Sequence, residues 1–173
     1  MLRRIAFRGH GLLHRAARRN PFARLRYGPP ATIRPCRDND LDSVLRIWRV
    51  ANALAHPFLD ADFLRTEQDN VRDVYLPAAE TWVAEADGHV VGFISLLGHQ
   101  VGGLFLAPAW HGRRIGKALM DKAVAERGTL ELDVFAANVI GRRFYDRYGF
   151  VDADDYIHAP TGQRVLRLTL PAA

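Results

Sequence analysis

Residues Val101 to Asp121 read VGGLFLAPAWHGRRIGKALMD, and this stretch decides the fold. It opens with an apolar run too short for a helix, breaks at Pro108, turns through glycine and arginine, and takes up helical spacing from Ile115. The pattern predicts a strand, a loop and a helix. The first N–H groups of such a helix have no partner within it, so with the nearby cationic side chains they can hold a phosphate or pyrophosphate. An ordinary basic strand-to-helix turn is the alternative.

The positive charge of the chain is concentrated in its first 30 residues. The length of 173 residues suits one domain with a substantial core, and the formal net charge is +5. Residues 1–30 hold eight arginines and no acidic residue, which leaves residues 31–173 with 16 basic against 19 acidic side chains, a net charge of −3. The charge balance therefore gives no reason to expect a nucleic-acid groove on the folded part.

Residues 1–30 are predicted to be a disordered, arginine-rich N-terminal extension. They lack a long apolar segment and end in the helix breakers Gly28, Pro29 and Pro30. A targeting sequence and a basic arm for nucleic acid or anionic lipid are the alternatives. No apolar run approaches the about 18 residues that a membrane span requires. Cys36 is the only cysteine, which excludes a disulfide framework and a cysteine-based zinc site and fits a reducing cytoplasm.

The remainder of the chain is predicted to alternate between strands and helices. Its periodicity and turn residues indicate strands at 31–35, 81–86, 89–97, 101–106, 129–135, 156–158 and 164–170, and helices at 41–55, 60–75, 115–127 and 138–148. The three strands before Pro108 form an antiparallel meander, whereas the strand after Gly128 is reached through a helix and is expected to run parallel to its predecessor. Where these parallel strands diverge, the sequence predicts room for a ligand.

Two motifs resemble those of one enzyme superfamily. LFLAPAWHGRRIGKAL, residues 104–119, is similar to the coenzyme A pyrophosphate loop of the GNAT (GCN5-related N-acetyltransferase) superfamily, and NVIGRRFYDRYGF, residues 138–150, is similar to its late Asn and Phe-Tyr helix. The resemblance implies a small bacterial-type N-acetyltransferase domain over residues 31–173. Its fold would be α/β (α+β), with a mixed, mostly antiparallel sheet of about six to seven strands, a parallel pair at the centre and helices on both faces.

Carried over position by position, the resemblance implies a site for acetyl-CoA. Backbone groups of Leu104, Phe105 and Leu106 would hold the pantetheine arm and the acetyl carbonyl, and Asn138 would bond to the pantetheine region. The backbone N–H groups of one loop and helix start would hold the pyrophosphate: Gly112, Arg113, Arg114, Ile115, Gly116, Lys117 and Ala118.

The loop departs from the family pattern at two positions. His111 stands where the family often has Arg or Gln, and Arg114 stands where the loop often has Gly. Backbone amides survive a side-chain change, so Arg114 is expected to point outward to solvent or a coenzyme phosphate. If the position required a positive φ, an arginine there would be strained.

The implied activity is transfer of an acetyl group from acetyl-CoA to a primary amine by direct attack, without a metal. Tyr145 would be the general acid at the thioester sulfur. Gly141, four residues earlier on the same helix face, predicts a close approach to the backbone, for which the coenzyme arm is the natural candidate. His56 and Phe58, between the first two helices, are the expected substrate-side residues. The general base stays open among a bound water and five side chains: His56, Glu85, His99, Glu131 and Asp133.

The partners and the alternatives follow from the same resemblance. The expected partners are acetyl-CoA and an unidentified amine acceptor, which is a small metabolite, a protein lysine or an N-terminus. No specific nucleic acid and no membrane span are expected, the expected location is the cytoplasm, and a homodimer stays open. A non-catalytic acetyl-CoA sensor is the competing function, and a basic-arm nucleic-acid module is a more distant one.

Overall fold

The structure is a computed structural model that describes residues 31–171. The predicted extension at 1–30 and residues 172–173 lie outside the described residues. The strands are β1 Thr32–Pro35, β2 Glu80–Ala86, β3 His89–Leu97, β4 Gln100–Leu106, β5 Leu130–Phe135, β6 Val151–His158 and β7 Gln163–Leu170. The helices are α1 Leu41–Ala55, α2 Ala61–Asn70, α3 Ile115–Arg127 and α4 Val139–Tyr148. Short helical turns span Asp38–Asp40, Val71–Tyr75, Leu76–Ala78 and Pro108–Trp110.

Seven strands form one sheet in the order β1-β2-β3-β4-β5-β7-β6. The neighbouring strands are antiparallel except for β4 and β5, which are parallel. The predicted mixed sheet with a central parallel pair is therefore confirmed. In the described part of the chain, the one registered pair between β4 and β5 is Gln100 with Glu131. Beyond this pair the two strands separate toward their carboxyl ends.

Helices cover both faces of the sheet, as predicted. On one face α3 contributes the fully buried side chains of Leu119 and Met120, and the aromatic side chains of α4 pack beside them. On the other face α1 contributes a second cluster around Val44 and Trp48. Alternation along β4 sends Leu104 to the first cluster and Phe105 to the second. None of the helices described within residues 31–171 has the length and apolar character that crossing a membrane requires.

Strand β6 begins at Val151, five residues before the predicted start at Tyr156. Its acidic residues disfavour a strand in sequence terms. However, β6 is an edge strand exposed along nearly its whole length, so its carboxylates remain in water. Asp155 also pairs across the hairpin with Arg164 of β7, at 2.8 Å between Oδ2 and Nε. Cross-strand pairing with β7 therefore outweighs the local propensity.

The helical segment that starts with α2 continues to Ala78, although Pro77 was expected to end it after Tyr75. The turn before the proline is a π turn, in which the Leu76 N–H donates to the carbonyl of Val71, five residues earlier. Pro77 has no N–H that would need a hydrogen-bond partner, so it is tolerated within the short helical turn Leu76–Ala78 that follows the π turn.

An ion pair between the buried Asp40 and the half-buried Arg34 joins β1 to the start of α1. Asp40 is only 6% exposed. Its Oδ2 accepts a hydrogen bond from Nη1 of Arg34 at 2.6 Å, and its Oδ1 accepts one from Nη2 of Arg34 at 3.0 Å. The same carboxylate accepts a hydrogen bond from the Arg37 N–H at 2.8 Å, and Arg34 also donates to Glu85 of β2. The hydrogen bonds from Arg34 hold the pKa of Asp40 below its ordinary value. The pair thus fixes where α1 begins relative to the sheet.

The loop from β4 to α3 passes through two residues in the left-handed region. Gly112 has φ +75°, and Arg114, the residue immediately before the helix, has φ +62°. The left-handed conformation costs a non-glycine residue about 1 kcal/mol or more. The Arg114 side chain makes no capping hydrogen bond that offsets this cost. Strain at Arg114 is expected from the sequence if this position has a positive φ, and the observed φ shows that it does. The helix nevertheless begins at Ile115.

We predict that Asp40→Asn lowers the free energy of unfolding by about 2 kcal/mol at pH 7, because it removes the buried carboxylate that pairs with the half-buried Arg34 and leaves that side chain with Glu85 alone. Since folding lowers the pKa of Asp40, its contribution is present above the unfolded value of about 3.9 and is lost as the pH falls through the folded value. Urea unfolding at pH 7 and pH 3 measures both effects. Asp155→Asn, in an exposed pair, is the control and should lower the free energy of unfolding much less. Equal losses in the two variants would contradict the prediction.

We also predict that Arg114→Gly is more stable than Arg114→Ala by about 1 kcal/mol, because only glycine adopts the left-handed conformation without strain. The two variants both remove the side-chain charge, so their difference isolates the backbone. Thermal unfolding of both variants without ligand measures this difference. An alanine variant as stable as the glycine variant would mean that position 114 is not strained.

Candidate active site

A cavity of about 1100 Å³ opens between the end of β4, the following loop, α3 and α4. It lies on the sheet face that carries the side chains of Leu104 and Leu106. The predicted site residues that line it are Leu104, Leu106, Gly112, Arg114, Ile115, Gly116, Lys117 and Tyr145. The structure therefore brings the two motifs of the sequence to one site.

The amino-terminal end of α3 offers unpaired backbone donors to this cavity. The first hydrogen bond of the helix runs from the Ala118 N–H to the carbonyl of Arg114, at 3.0 Å. The N–H groups of Ile115, Gly116 and Lys117 therefore precede any helical bond, at the positive end of the helix dipole. Basic side chains line the same cavity: Arg114, Lys117, Arg143 and Arg147. Such an end is suited to a pyrophosphate.

The carboxyl end of β4 presents further donors toward β5. The Ala107 N–H donates to the Val91 carbonyl of β3 at 2.9 Å. Because successive residues of a strand point their hydrogen-bonding groups to opposite sides, the N–H groups of Leu104 and Leu106 point away from β3. Strand β5 has already separated at this level, since its registered pairing with β4 is at Gln100. These N–H groups therefore face a gap rather than a neighbouring strand.

Tyr145 lies on α4 and lines the cavity. Its ring packs edge-to-face against Phe144 and Phe150, with ring centres 5.4 and 5.6 Å apart. Burial raises the pKa of Tyr145 to about 12. No side-chain hydrogen bond within residues 31–171 involves its hydroxyl, and no buried side-chain polar atom there lacks a partner, so the hydroxyl is open to the cavity. The phenol is therefore protonated at neutral pH and its proton is not held by a neighbouring side chain.

Asn138 and His56 come together away from the lining of the cavity. Asn138 precedes α4, and its Oδ1 accepts a hydrogen bond from the Gly141 N–H at 2.8 Å. Its Nδ2 lies 3.0 Å from Nε2 of His56, whose Nδ1 lies 2.6 Å from Oδ1 of Asn52. Burial lowers the pKa of His56 to about 4. With both ring nitrogens engaged, His56 has no free nitrogen for an amine, and its role at the substrate stays a prediction.

Two glycines allow close packing within the protein. A Cβ on Gly141 would lie 2.8 Å from Nδ2 of Asn138, so the capping side chain approaches this backbone closely. Gly141 also lines the cavity, and a close approach of the coenzyme arm there stays a prediction. A Cβ on Gly116 would lie 3.3 Å from the Phe144 ring and 3.5 Å from Leu106. Gly116 therefore permits close packing of α3 against α4 and β4.

Besides Asn138, three predicted cofactor-binding residues lie beside the cavity rather than in its lining. The Phe105 side chain points to the opposite face of the sheet, so only its backbone remains a candidate contact. The guanidinium of Arg113 lies over the Trp110 ring, 4.4 Å from its centre. Ala118 contributes its N–H to the first hydrogen bond of α3. Their contacts with acetyl-CoA stay predictions.

An aromatic cluster lies on the other face of the sheet, at the carboxyl end of β5. Phe135 ends β5, and its ring lies 5.7 Å from that of Phe58 and 5.6 Å from that of His158. His158 in turn lies 5.9 Å from Phe63 of α2. The sequence indicated Phe58 alone, because the other members come from three separate elements. Only the position of Phe135, at the last residue of a central strand, could have drawn attention to it.

The candidate bases are engaged or distant. Asp133 accepts hydrogen bonds from Arg167 and from the Tyr156 hydroxyl, and Glu85 pairs with Arg34. His99 Nδ1 lies 3.1 Å from the Thr129 carbonyl oxygen. Glu131 lies beside Gln100, at the amino-terminal end of β5 and away from the gap. None of these side chains is placed as a free base at the gap.

The donor set of the cavity fits acetyl-CoA. Unpaired helix N–H groups and four cationic side chains suit its phosphates, and the strand N–H groups and apolar wall suit the pantetheine arm. The carboxylate of Asp121 also lines the cavity, but it is paired with Lys117 at 2.7 Å and accepts a hydrogen bond from Tyr148. The net charge of the lining therefore stays positive.

Comparison with known proteins identifies the family of this chain. The family model described as "Acetyltransferase (GNAT) domain" matches residues 77–152. The chain is 36% identical over 119 residues to the peptidyl-lysine N-acetyltransferase YiaC of Escherichia coli, an alignment that covers 68% of this chain and 82% of that protein.

Solved structures share the fold. The solution structure of apo-form YjaB from Escherichia coli superposes with a TM-score of 0.74 at 27% identity, over 83% of this chain and 99% of that one. The PaiA N-acetyltransferase of Thermoplasma acidophilum, solved in complex with coenzyme A, superposes with a TM-score of 0.65 at 18% identity, over 80% and 98%. Nothing in these comparisons supports a non-catalytic sensor. The chain therefore belongs to the GNAT superfamily and is an acyltransferase that uses acetyl-CoA as its acetyl donor.

Proposed function

We propose that this chain transfers the acetyl group of acetyl-CoA to the side-chain amine of lysine residues in proteins or peptides, by direct attack on the thioester. The observation that carries the proposal is the gap between β4 and β5, which has strand N–H donors and the unengaged Tyr145 hydroxyl on one face and an aromatic cluster on the other. The choice of lysine among primary amines is supported by the similarity to YiaC, a peptidyl-lysine N-acetyltransferase. A cytoplasmic location goes with this proposal, because acetyl-CoA and newly made proteins meet there.

The N–H groups of Leu104 and Leu106 stabilise the negative charge that develops on the acetyl carbonyl oxygen during attack. Their positions are fixed by the β3–β4 ladder, so little reorganisation is required when the charge appears. The N–H groups at the start of α3 hold the pyrophosphate and thereby orient the thioester along β4.

Tyr145 acts as the general acid at the departing sulfur. The pKa of about 12 keeps the phenol protonated at any physiological pH. A phenol of this pKa is a weaker acid than a thiol, whose ordinary pKa is about 8.5, so its proton is only partly transferred in the transition state. Its hydrogen bond strengthens because negative charge accumulates on the sulfur as the carbon–sulfur bond breaks. Because the candidate bases are engaged or distant, we assign removal of the amine proton to water at the open gap.

The aromatic cluster forms the wall for the lysine side chain. Phe58, Phe63, Phe135 and His158 are each half-buried, so their ring faces can cover the four methylene groups of a lysine. Asp60, exposed two residues after Phe58, adds negative charge that attracts a cationic amine before it loses its proton, whereas the charge of Asp62 is balanced by its ion pair with Arg65. The homodimer and the absence of specific nucleic-acid binding stay predictions.

Tyr145→Phe should lower kcat by about 10²-fold or more, because the ring is retained while the proton donor is lost. The dissociation constant of acetyl-CoA, measured by calorimetry, should change little. Tyr75→Phe, which removes an exposed hydroxyl from the turn after α2, is the control and should retain full activity. An unchanged kcat for Tyr145→Phe would remove this residue as the general acid, whereas a large loss of binding would assign it a structural role.

A thiol-release screen should give turnover with lysine peptides that exceeds turnover with small amines and with N-terminal amines at equal concentration. Phe58→Ala should raise the KM of the best peptide by about fivefold, since about 1 kcal/mol of aromatic contact is lost, and leave acetyl-CoA binding unchanged. Tyr75→Ala is the matched control. Turnover with small amines alone would reject lysine peptides as the substrate class, and acetyl-CoA binding without any acceptor-dependent thiol release would reject the transferase.

A further inference from the structure

A buried chain of hydrogen bonds joins the end of α1 to the start of α4. His56, directly after α1, is 8% exposed, and its two ring nitrogens contact Asn52 at 2.6 Å and Asn138 at 3.0 Å. Asn52 donates through Nδ2 to the carbonyl of Trp48 at 2.9 Å. Asn138 accepts through Oδ1 from the Gly141 N–H at 2.8 Å. The chain therefore connects two helices whose contact residues lie 82 positions apart.

The direction of every hydrogen bond in this chain is determined by its two ends. Because Oδ1 of Asn138 accepts from Gly141, its Nδ2 faces His56, and Nε2 of His56 must accept. The ring proton is then on Nδ1, which donates to Oδ1 of Asn52, and the amide of Asn52 donates to the Trp48 carbonyl. Each donor thus meets one acceptor, provided that the imidazole is neutral.

The surroundings of the ring maintain the neutral form. The rings of Phe58 and Phe135 lie 5.7 and 5.5 Å from that of His56, and its hydrogen-bonding neighbours are uncharged amides. Burial is the cause of the lowered pKa of His56, and no charged side chain among residues 31–171 contributes to it. An unperturbed histidine has a pKa of about 6.5, so the neutral ring is specific to this site.

The position of Asn138 determines how α4 begins. Its side chain caps the helix at the third residue, Gly141, and lies so close that a Cβ there would be 2.8 Å from Nδ2. Asn138 is therefore confined between Gly141 and His56. Tyr145 follows on the same helix, seven residues after the cap.

We propose that His56 is a positioning residue, which through Asn138 fixes the start of α4 and so holds Tyr145 at its place in the cavity. The proposal rests on the proposed function in one respect, namely that Tyr145 acts at the thioester. A proton on Nε2 would face the amide hydrogens of Asn138. The amide would then have to turn over and would present Nδ2 to the Gly141 N–H, so the cap would be lost.

The test uses His56→Leu and His56→Gln, with His89→Leu as the control at an exposed histidine of the β2–β3 hairpin. Leucine retains bulk but accepts no hydrogen bond. Glutamine can accept from Asn138 through Oε1, donate to Asn52 through Nε2, and does not titrate. In His56→Leu we expect the amide hydrogen of Gly141 to exchange with solvent about tenfold faster than in the wild-type protein. We also expect kcat to fall about tenfold, with a smaller change in the dissociation constant of acetyl-CoA. His56→Gln should restore both, and His89→Leu should change neither.

Two further measurements keep the outcome decisive. The nitrogen-15 spectrum of the wild-type protein at pH 6 should contain a His56 ring in the neutral form with the proton on Nδ1, and a ring protonated on Nε2 would overturn the proposal even if His56→Leu did not fold. In the Tyr145→Phe background, His56→Leu should have little further effect on kcat. Unchanged exchange at Gly141 in His56→Leu, or a glutamine variant as impaired as the leucine variant, would overturn the positioning role. Failure of the proposed function can be told apart from failure of the positioning role. In that case Tyr145→Phe would be fully active, while His56→Leu would still speed the exchange of the Gly141 amide hydrogen.

Discussion

The separation of β4 from β5 is the constraint on which the rest of the structure depends. The parallel strands meet at Gln100 and Glu131, and the Glu131 N–H donates to the carbonyl of His99 at 3.0 Å. From there each strand follows its own antiparallel partner, β3 on one side and β7 on the other. The facing edges are left with unpaired backbone groups. Such groups are costly unless water or a ligand satisfies them, so the sheet itself creates a candidate site for the donor substrate.

The two motif helices form the walls of that site by packing against each other. Gly116 of α3 has no side chain, which allows the Phe144 ring of α4 to approach, and the same ring contacts Tyr145 and Tyr148. The aromatic packing leaves the helix start at Ile115 facing the cavity with its N–H groups unpaired. The left-handed Arg114 is the cost of turning the chain into this helix so abruptly. Local strain and unpaired donors thus occur together at the amino-terminal end of α3, which faces the cavity.

Helix α1 has a charged ion pair at its start and a neutral histidine directly after its end. At its start, Asp40 is buried with Arg34, and the ion pair is supported by a backbone N–H and by Glu85, so the buried charges are compensated. At its end, His56 is buried among aromatic rings without an opposite charge, and it remains neutral within a chain of amides. The ion pair anchors α1 to the sheet, and the neutral chain connects α1 to α4. One helix therefore links the scaffold to the candidate catalytic wall.

Much of the fold was determined by the sequence alone, because its signals are local. The spacing from Leu41, the Asp87-Gly88 turn and the glycines after α3 and α4 predict elements within a residue or two of their observed bounds. The pyrophosphate motif likewise identified the helix start that faces the cavity. Tertiary structure decided what depends on partners distant in sequence. Strand β6 extends through an acidic run because β7 pairs with it, and Gly141 leaves room for the side chain of Asn138. The neutral His56 and the aromatic cluster around Phe135 likewise arise only when separate elements meet, since burial and hydrogen-bond partners are properties of the folded chain.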